Sequence, residues 1–254
     1  PTPAPSTPST AGAKRKPHVV IIGSGFGGLF AARALRRANV EVTLIAKTSH
    51  HLFQPLLYQV ATGILSQGEI APSTREVLAR QKNVTVLLGD VTTIDLANRV
   101  VTARVLDETF ETSYDRLIVA AGAAQSWFGH DEFADYAPGM KSVDDALELR
   151  GRIFGAFELA EVAATEGRTA DVQALMTFVV VGAGPTGVEM AGQLVELSKR
   201  TLRHDFRHIT TEDARLILLA AAPAVLPRFH PSLQAKTKAA LEQLEPWLEQ
   251  DEDP

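Results

Sequence analysis

HVVIIGSGFGGLFAARALRRANVEVTLIA, residues 18–46, decides the fold. HVVII is a short β-rich run, a glycine cluster follows, and LFAARALRRA carries apolar residues at helical spacing. VEVTLIA, Val40 to Ala46, is the next strand, so the stretch is a βαβ unit of about thirty residues. Gly23-Ser24-Gly25-Phe26-Gly27-Gly28 fits G-x-G-x-x-G, a weak signal alone but a stronger one between a Val/Ile strand and an Ala/Leu helix. In that setting the first glycine permits a tight turn, the second lets backbone approach a pyrophosphate, and the third lets helix and strand pack closely. The helix N-terminus adds N–H groups and partial positive charge for the phosphates.

The same order recurs in TFVVVGAGPTGVEMAGQLVEL, where Gly182-Ala183-Gly184-Pro185-Thr186-Gly187 repeats the motif and RLILLAA, Arg215 to Ala221, is the partner strand. Two such corners imply two dinucleotides handed electrons in sequence, and the natural pair is FAD with a nicotinamide nucleotide. Between the corners, Ser73 with Glu76 predicts a capped helix through Arg80. Alternating segments at Val84–Leu88, Val100–Val105 and Thr109–Thr112 predict an antiparallel meander. LIVAAG, Leu117 to Gly122, is a buried strand ending in a glycine turn, and a helix is expected from Ser142 to Ala164. PTPAPSTPSTAGAKRK at the start is expected to be a disordered tail, and EPWLEQDEDP at the end a frayed one.

Composition narrows the classes. With 254 residues, 45% of them hydrophobic and 22% charged, the chain is long enough for one large or two modest α/β domains. A formal charge of -5 argues against a nucleic-acid binder, which would need a basic field. No apolar run reaches the roughly 18 residues needed to span a bilayer. With no cysteine, the chain has no disulfide, thiolate metal site, cysteine nucleophile or dithiol relay. Residue 1 is Pro rather than Met, which is expected of a processed, trimmed or partial product. His50-His51, and His204 with His208 on one expected helix face, raise a metal site, but no third ligand of suitable spacing accompanies them, so none is expected. Arg200, Arg203 and Arg207 are read as a solvated basic stripe on a helix.

HVVIIGSGFGGL, the loop HHLFQPLLYQVATG after the second strand, YDRLIVAAG and FVVVGAGPTGVEMAG together resemble type II NADH dehydrogenase, the single-subunit, non-proton-pumping NADH:quinone oxidoreductase, in its actinobacterial form. The similarity runs from about His18 to about Leu241, and the loop is its most specific piece. The resemblance implies an α/β fold of two Rossmann-like dinucleotide-binding domains, the second inserted in the first and incomplete here. The expected division is a tail at 1–17, an FAD-binding domain at 18–170 and an NADH-binding domain at 171–254. It implies hydride transfer from NADH to FAD and delivery of two electrons to a quinone. It also implies peripheral contact with the cytoplasmic face of the plasma membrane, and a homodimer is a further expectation. If the chain ends at Pro254, a soluble cytoplasmic protein is expected instead. Two alternatives stand beside this: a soluble NAD(P)H-dependent flavin reductase with a protein acceptor, and a truncated nucleotide-binding fragment without turnover.

By the same resemblance Gly23, Gly25, Phe26, Gly27 and Gly28 hold the FAD pyrophosphate, and Ala121 with Gly122 forms a close-approach turn. Gly182, Gly184, Pro185, Thr186 and Gly187 do the same for NADH, and Glu189, placed on the first turn of the second helix, matches a glutamate near the reacting rings. Its plainer account is a carboxylate complementing the helix dipole. Phe53, Pro55, Leu56 and Tyr58 of the loop are expected to wall the flavin, against the simpler possibility that an apolar loop covers a sheet end. One feature departs from the dinucleotide pattern. An Asp or Glu about 20 residues past the glycines normally bonds the adenosine ribose. Here the strands end in Ala46-Lys47 and Ala220-Ala221, which leaves Lys47 as the candidate adenosine contact and predicts weakened NADH binding.

Overall fold

The structure, a computed structural model, describes residues 15–127 and 129–244. In chain order it opens with β1 (His18–Ile22), α1 (Phe26–Ala34), β2 (Glu41–Ala46), α2 (Leu57–Ala61), α3 (Gln67–Ile70) and α4 (Thr74–Leu78). Five strands follow: β3 (Val84–Leu88), β4 (Asp90–Asp95), β5 (Val100–Val105), β6 (Glu108–Ser113) and β7 (Arg116–Val119). The remainder is α5 (Val143–Thr165), α6 (Thr169–Leu175), β8 (Thr177–Val181), α7 (Pro185–Glu196), β9 (Arg215–Leu219) and α8 (Pro231–Leu244). These elements form two compact units: residues 15–51 with 72–122, and residues 52–71 with 123–244. The division expected near residue 170 therefore falls inside the second unit, which takes in all of α5 and the loop segment 52–71.

In the first unit a parallel sheet runs in the order β3-β2-β1-β7. Both of its faces are covered, which is why its central strands read as unbroken Val/Ile/Leu runs. Val19, Ile21, Val42 and Leu44 pack against Leu29 and Ala32 of α1 and Leu78 of α4. Val20, Ile22 and Ile45 pack on Val101 and Ala103 of an antiparallel sheet ordered β4-β5-β6. The expected meander thus exists with different membership, since Val84–Leu88 is a parallel edge strand and Asp90–Asp95 takes its place. Arg15 and Pro17 belong to this unit rather than to a tail. Arg15 pairs with Asp115 at 2.7 Å, and the Pro17 carbonyl accepts from the Glu41 amide. Residues 1–14 and 245–254, which hold the rest of the expected tail and the frayed end, lie outside the described residues.

The second unit is built on the parallel pair β8 and β9, with α5, α7 and the loop segment 52–71 each contributing buried apolar side chains to its core. Helix α5 starts at a reciprocal cap: Asp145 N–H donates to Ser142 Oγ at 3.1 Å, and the Asp145 carboxylate accepts from the Ser142 amide at 2.9 Å. The predicted cap at Ser73 makes no such side-chain bond; Glu69 instead reaches back to the Ser66 amide at 2.7 Å. The greasy loop takes its place here. Leu57, Val60, Ala61 and Ile70 are buried among Phe157, Ala160, Met190 and Leu194. Its apolar character therefore serves mainly to fill the core of the second unit.

A carboxylate ties α5 to the chain beyond α7. Glu161 accepts from the amides of Arg207, His208 and Ile209 at 3.0, 3.0 and 3.1 Å, and lies 2.8 Å from His208 Nδ1. Partial burial opposes its ionisation, but the His208 ring and the three amides outweigh it and bring the carboxyl down to about 2 from 4.5. A folded-state value below the unfolded one means that the clamp stabilises fully above the unfolded value and fades as pH falls through the folded one. Between about pH 4.5 and 2 the melting midpoint should therefore fall more steeply for the native chain than for Glu161→Gln. Parallel melting profiles across that window would rule the clamp out.

Candidate dinucleotide sites

The two glycine corners have the same geometry. Gly23 and Gly182 have φ of +102° and +105°, a left-handed turn open to glycine. Each first-glycine amide donates to the end of the neighbouring strand, Gly23 to Ile45 O and Gly182 to Leu219 O, both at 2.8 Å. A Cβ on Gly28 would lie 1.8 Å from the Gly23 carbonyl oxygen, and one on Gly187 would lie 1.8 Å from that of Gly182. By contrast, a Cβ on Gly25 or Gly184 would meet nothing within 4 Å. These second glycines are the N-cap residues of α1 and α7, in extended conformation, with no side chain to close the helix end. Each corner is thus bare backbone at a helix N-terminus, on the carboxyl edge of a parallel sheet and open where a phosphate needs room. A dinucleotide pyrophosphate fits both.

Around the first corner the first unit gathers most of the expected residues. Lys47 is exposed just past β2, and Ala121 and Gly122 are exposed past β7. Phe26 and Gly27 open α1 and are exposed as well. The Ala120 amide donates to Ile22 O, and its carbonyl oxygen lies 2.2 Å from where a Cβ on Gly23 would stand, so β7 and the turn are in close contact. Strand β1 lies between β2 and β7, with its crossover helix leading to β2, so the crevice on its β7 side is the switch point where ligands bind such sheets.

The histidine pair His50-His51, for which no metal site is expected, has a definite task. His51 is 8% exposed, its Nδ1 lies 2.8 Å from the Ser24 carbonyl oxygen, and its ring meets Phe26 edge-on at 5.3 Å. A carbonyl can only accept, so Nδ1 carries the proton. Ser24 Oγ donates in turn to the His50 carbonyl at 3.1 Å. The histidine pair that follows β2 therefore latches the glycine turn through Ser24. His51→Ala strands a buried carbonyl and should cost about 1–3 kcal/mol, seen as a drop of about 2–4 °C in melting midpoint per kcal/mol. An unchanged midpoint would mean that the Ser24 carbonyl does not depend on His51.

At the second corner Gly182, Gly184, Thr186, Leu219 and Ala220 border a cavity of about 1850 Å³ within the second unit. Pro185 and Gly187 line it too, whereas Glu189 does not. Glu189 is the fifth residue of α7, one turn later than expected and beyond the reach of the helix-end charge. Its carboxyl is exposed, yet partial desolvation raises it above the usual carboxylate range. The helix-dipole account therefore fails for this residue. Of the loop residues expected to wall a flavin, Phe53 and Pro55 are exposed and Leu56 and Tyr58 half-buried.

His204, His208, Arg200, Arg203 and Arg207 form neither a shared helix face nor a stripe. His204 and His208 share no helix face, because α7 passes into a π-helical turn ending at Thr201 and the chain then leaves the helix. For the same reason the three arginines form no stripe: Arg200 pairs with Glu196, Arg203 pairs with Glu212, and the Arg207 amide donates to Glu161. No group of three His, Asp or Glu that could hold a metal occurs among the described residues.

Comparison with known proteins agrees with this geometry. The family model described as pyridine nucleotide-disulphide oxidoreductase matches residues 17–245. Type II NADH:quinone oxidoreductase NdhA of Mycobacterium tuberculosis is 63% identical over 238 residues, 94% of this chain and 50% of the relative. Type II NADH:quinone oxidoreductase Ndh of the same organism is 61% identical over 241 residues, 95% of this chain and 51% of the relative. Among solved structures, NDH2 from Plasmodium falciparum in complex with RYL-552 aligns at a TM-score of 0.81 and 25% identity, covering 93% of this chain and 47% of that one. The chain spans about half the length of the curated relatives it matches. With two dinucleotide corners of one geometry and a family model spanning nearly all the described residues, the chain belongs to the pyridine nucleotide-disulphide oxidoreductase family.

Proposed function

We propose that this chain carries the flavin corner and the nicotinamide corner of a type II NADH:quinone oxidoreductase. When bound, FAD would take a hydride from NADH and release two electrons to a membrane quinone. The observation that carries the reading is the matched pair of corners, each with its second glycine open to a pyrophosphate. The relatives that share 63% and 61% of their aligned residues bear that name. Gly23, Gly25, Phe26, Gly27 and Gly28 would hold the flavin phosphates, Ala121 and Gly122 would lie against them, and Lys47 would meet the adenosine. Gly182, Gly184, Pro185, Thr186 and Gly187 would hold those of NADH. The protein's part is alignment and exclusion of water more than proton transfer.

By the same resemblance Glu189 would lie near the reacting rings, a reading supported by the partial desolvation of its carboxyl. Glu189→Gln should slow flavin reduction without releasing FAD. Peripheral attachment at the cytoplasmic face of the plasma membrane belongs to the same proposal, because the quinone is lipid-dissolved. No helix among the described residues is long and apolar enough to cross a membrane. Pairing of two copies rests on the resemblance alone.

The test is the visible spectrum of the purified chain with added FAD. Uptake of flavin, bleaching by NADH and recovery with a soluble quinone are expected. A folded sample that takes up no flavin would overturn the reading.

A further inference from the structure

We infer that the second corner does not discriminate between NADH and NADPH. The inference rests on the reading of that corner as the nicotinamide nucleotide site. In a dinucleotide fold the residue at the end of the second strand tells the two apart. A carboxylate there accepts the ribose 2′-hydroxyl and repels a 2′-phosphate, and an arginine nearby favours the phosphate. Specificity is a difference of two affinities, so it needs one of these groups to be present.

The register identifies the position. Strands β8 and β9 pair in parallel with Val181 opposite Leu219, and the Gly182 amide donates to Leu219 O at 2.8 Å. The residue beside the first glycine is therefore Ala220. It lines the cavity together with Ala221, Ala222 and Pro223, so methyl and methylene groups stand where the deciding side chain would be. No acidic neighbour makes up for the loss. Glu212 and Asp213 precede β9, at the opposite end of a five-residue strand, about 16 Å away at the usual rise. From Arg215 onward the next acid in the sequence is Glu242. No Asp or Glu lines the cavity among the described residues, and its cationic side chains are Lys141 and Arg152. Arg152 is already committed to the Glu148 carboxylate at 2.6 Å and to the Asp135 carbonyl.

Two consequences follow for the ligands. NADH loses a charge-assisted hydrogen bond, which weakens it by about ten- to a hundredfold. NADPH finds no arginine among the strand-end residues that line the cavity, and it meets no carboxylate there to repel its 2′-phosphate. Both changes move the ratio of the two affinities toward one.

Stopped-flow reduction of the flavin in the FAD-supplied chain, at rising NADH or NADPH in the same buffer, decides the matter, because the half-saturating concentration of each nucleotide gives its dissociation constant. Dissociation constants within about fivefold of each other are expected for the native chain. Ala220→Asp should tighten NADH about tenfold or more while weakening NADPH. Ala221→Asp, at an exposed neighbouring position, serves if the first variant misfolds. A native chain that prefers NADH by about fiftyfold or more would overturn the inference and leave the nicotinamide site standing. If FAD is taken up but neither nucleotide binds to the native chain or to Ala220→Asp, the nicotinamide reading falls and this inference with it.

Discussion

Gly28→Ala is expected to unfold the first glycine corner, whereas Gly25→Ala, three residues earlier, should leave the fold intact and abolish flavin binding. The added methyl on residue 28 would lie 1.8 Å from the Gly23 carbonyl oxygen and 2.9 Å from its carbon, distances that real Cβ atoms essentially never show. Both are backbone atoms, so no flexible side chain can yield. Relief requires α1 to lift from β1 or the Gly23 peptide to rotate, and Gly23 is already fixed at φ +102° with its amide bonded to Ile45. The cost is about 3 kcal/mol or more, at the upper end of overpacking, against a total stability of about 5–15 kcal/mol for a typical protein. At residue 25 the geometry is the reverse: φ is -67°, and the new Cβ meets nothing within 4 Å. An alanine folds there, but its methyl occupies the space that a pyrophosphate needs. Paired melting and flavin titrations separate the two effects. A Gly28→Ala chain as stable as the native one would refute the close packing, and a Gly25→Ala chain that binds flavin normally would move the phosphates elsewhere. Gly187 and Gly184 should repeat the contrast at the second corner, with NADH in place of flavin.

Those glycines were legible in the sequence because each constraint is local: a turn, a gap and a contact within six residues of chain. What escaped reading is nonlocal. Strand β3 alternates like a meander strand because it pairs only with β2 at the sheet edge and is half-buried, so it lacks the continuous apolar run of a central parallel strand. Ser66-Gln67-Gly68-Glu69 and Ser73-Thr74-Arg75-Glu76 carry the same capping pattern, yet only the first brings its glutamate back to the serine amide. Pattern alone could not choose between them. His51 was visible as half of a pair, but its partner is a backbone carbonyl 27 residues earlier, which no motif encodes. The loop after β2 was plainly apolar. That its Leu57 and Val60 belong to a core built by α5 and α7 depends on residues about a hundred positions further along.

That core sets up the second large effect, because Phe157→Ala should be the most damaging single truncation in the second unit. Phe157 is 1% exposed and is the largest fully buried side chain among the described residues. Its ring lies 5.3 Å from that of Phe178 on β8 and 6.2 Å from that of Phe206 beyond α7, so one side chain joins the helix, the strand that leads into the second glycine corner, and the chain tied down by Glu161. Truncation removes the transfer energy of an aromatic ring and leaves a void whose walls come from three separate segments, none of which can close it alone. The expected cost is about 3–5 kcal/mol. Phe157→Leu, which keeps most of the volume, should cost clearly less. Denaturant melts measure the totals, and native-state hydrogen exchange locates them. Amides of β8 and β9 should lose protection by the full amount, while those of β1 and β2, in the other unit, provide the comparison. Equal losses in both would mean that the two units unfold as one. A change below about 1 kcal/mol would mean that the ring does not join these segments and that the second corner is held by something else.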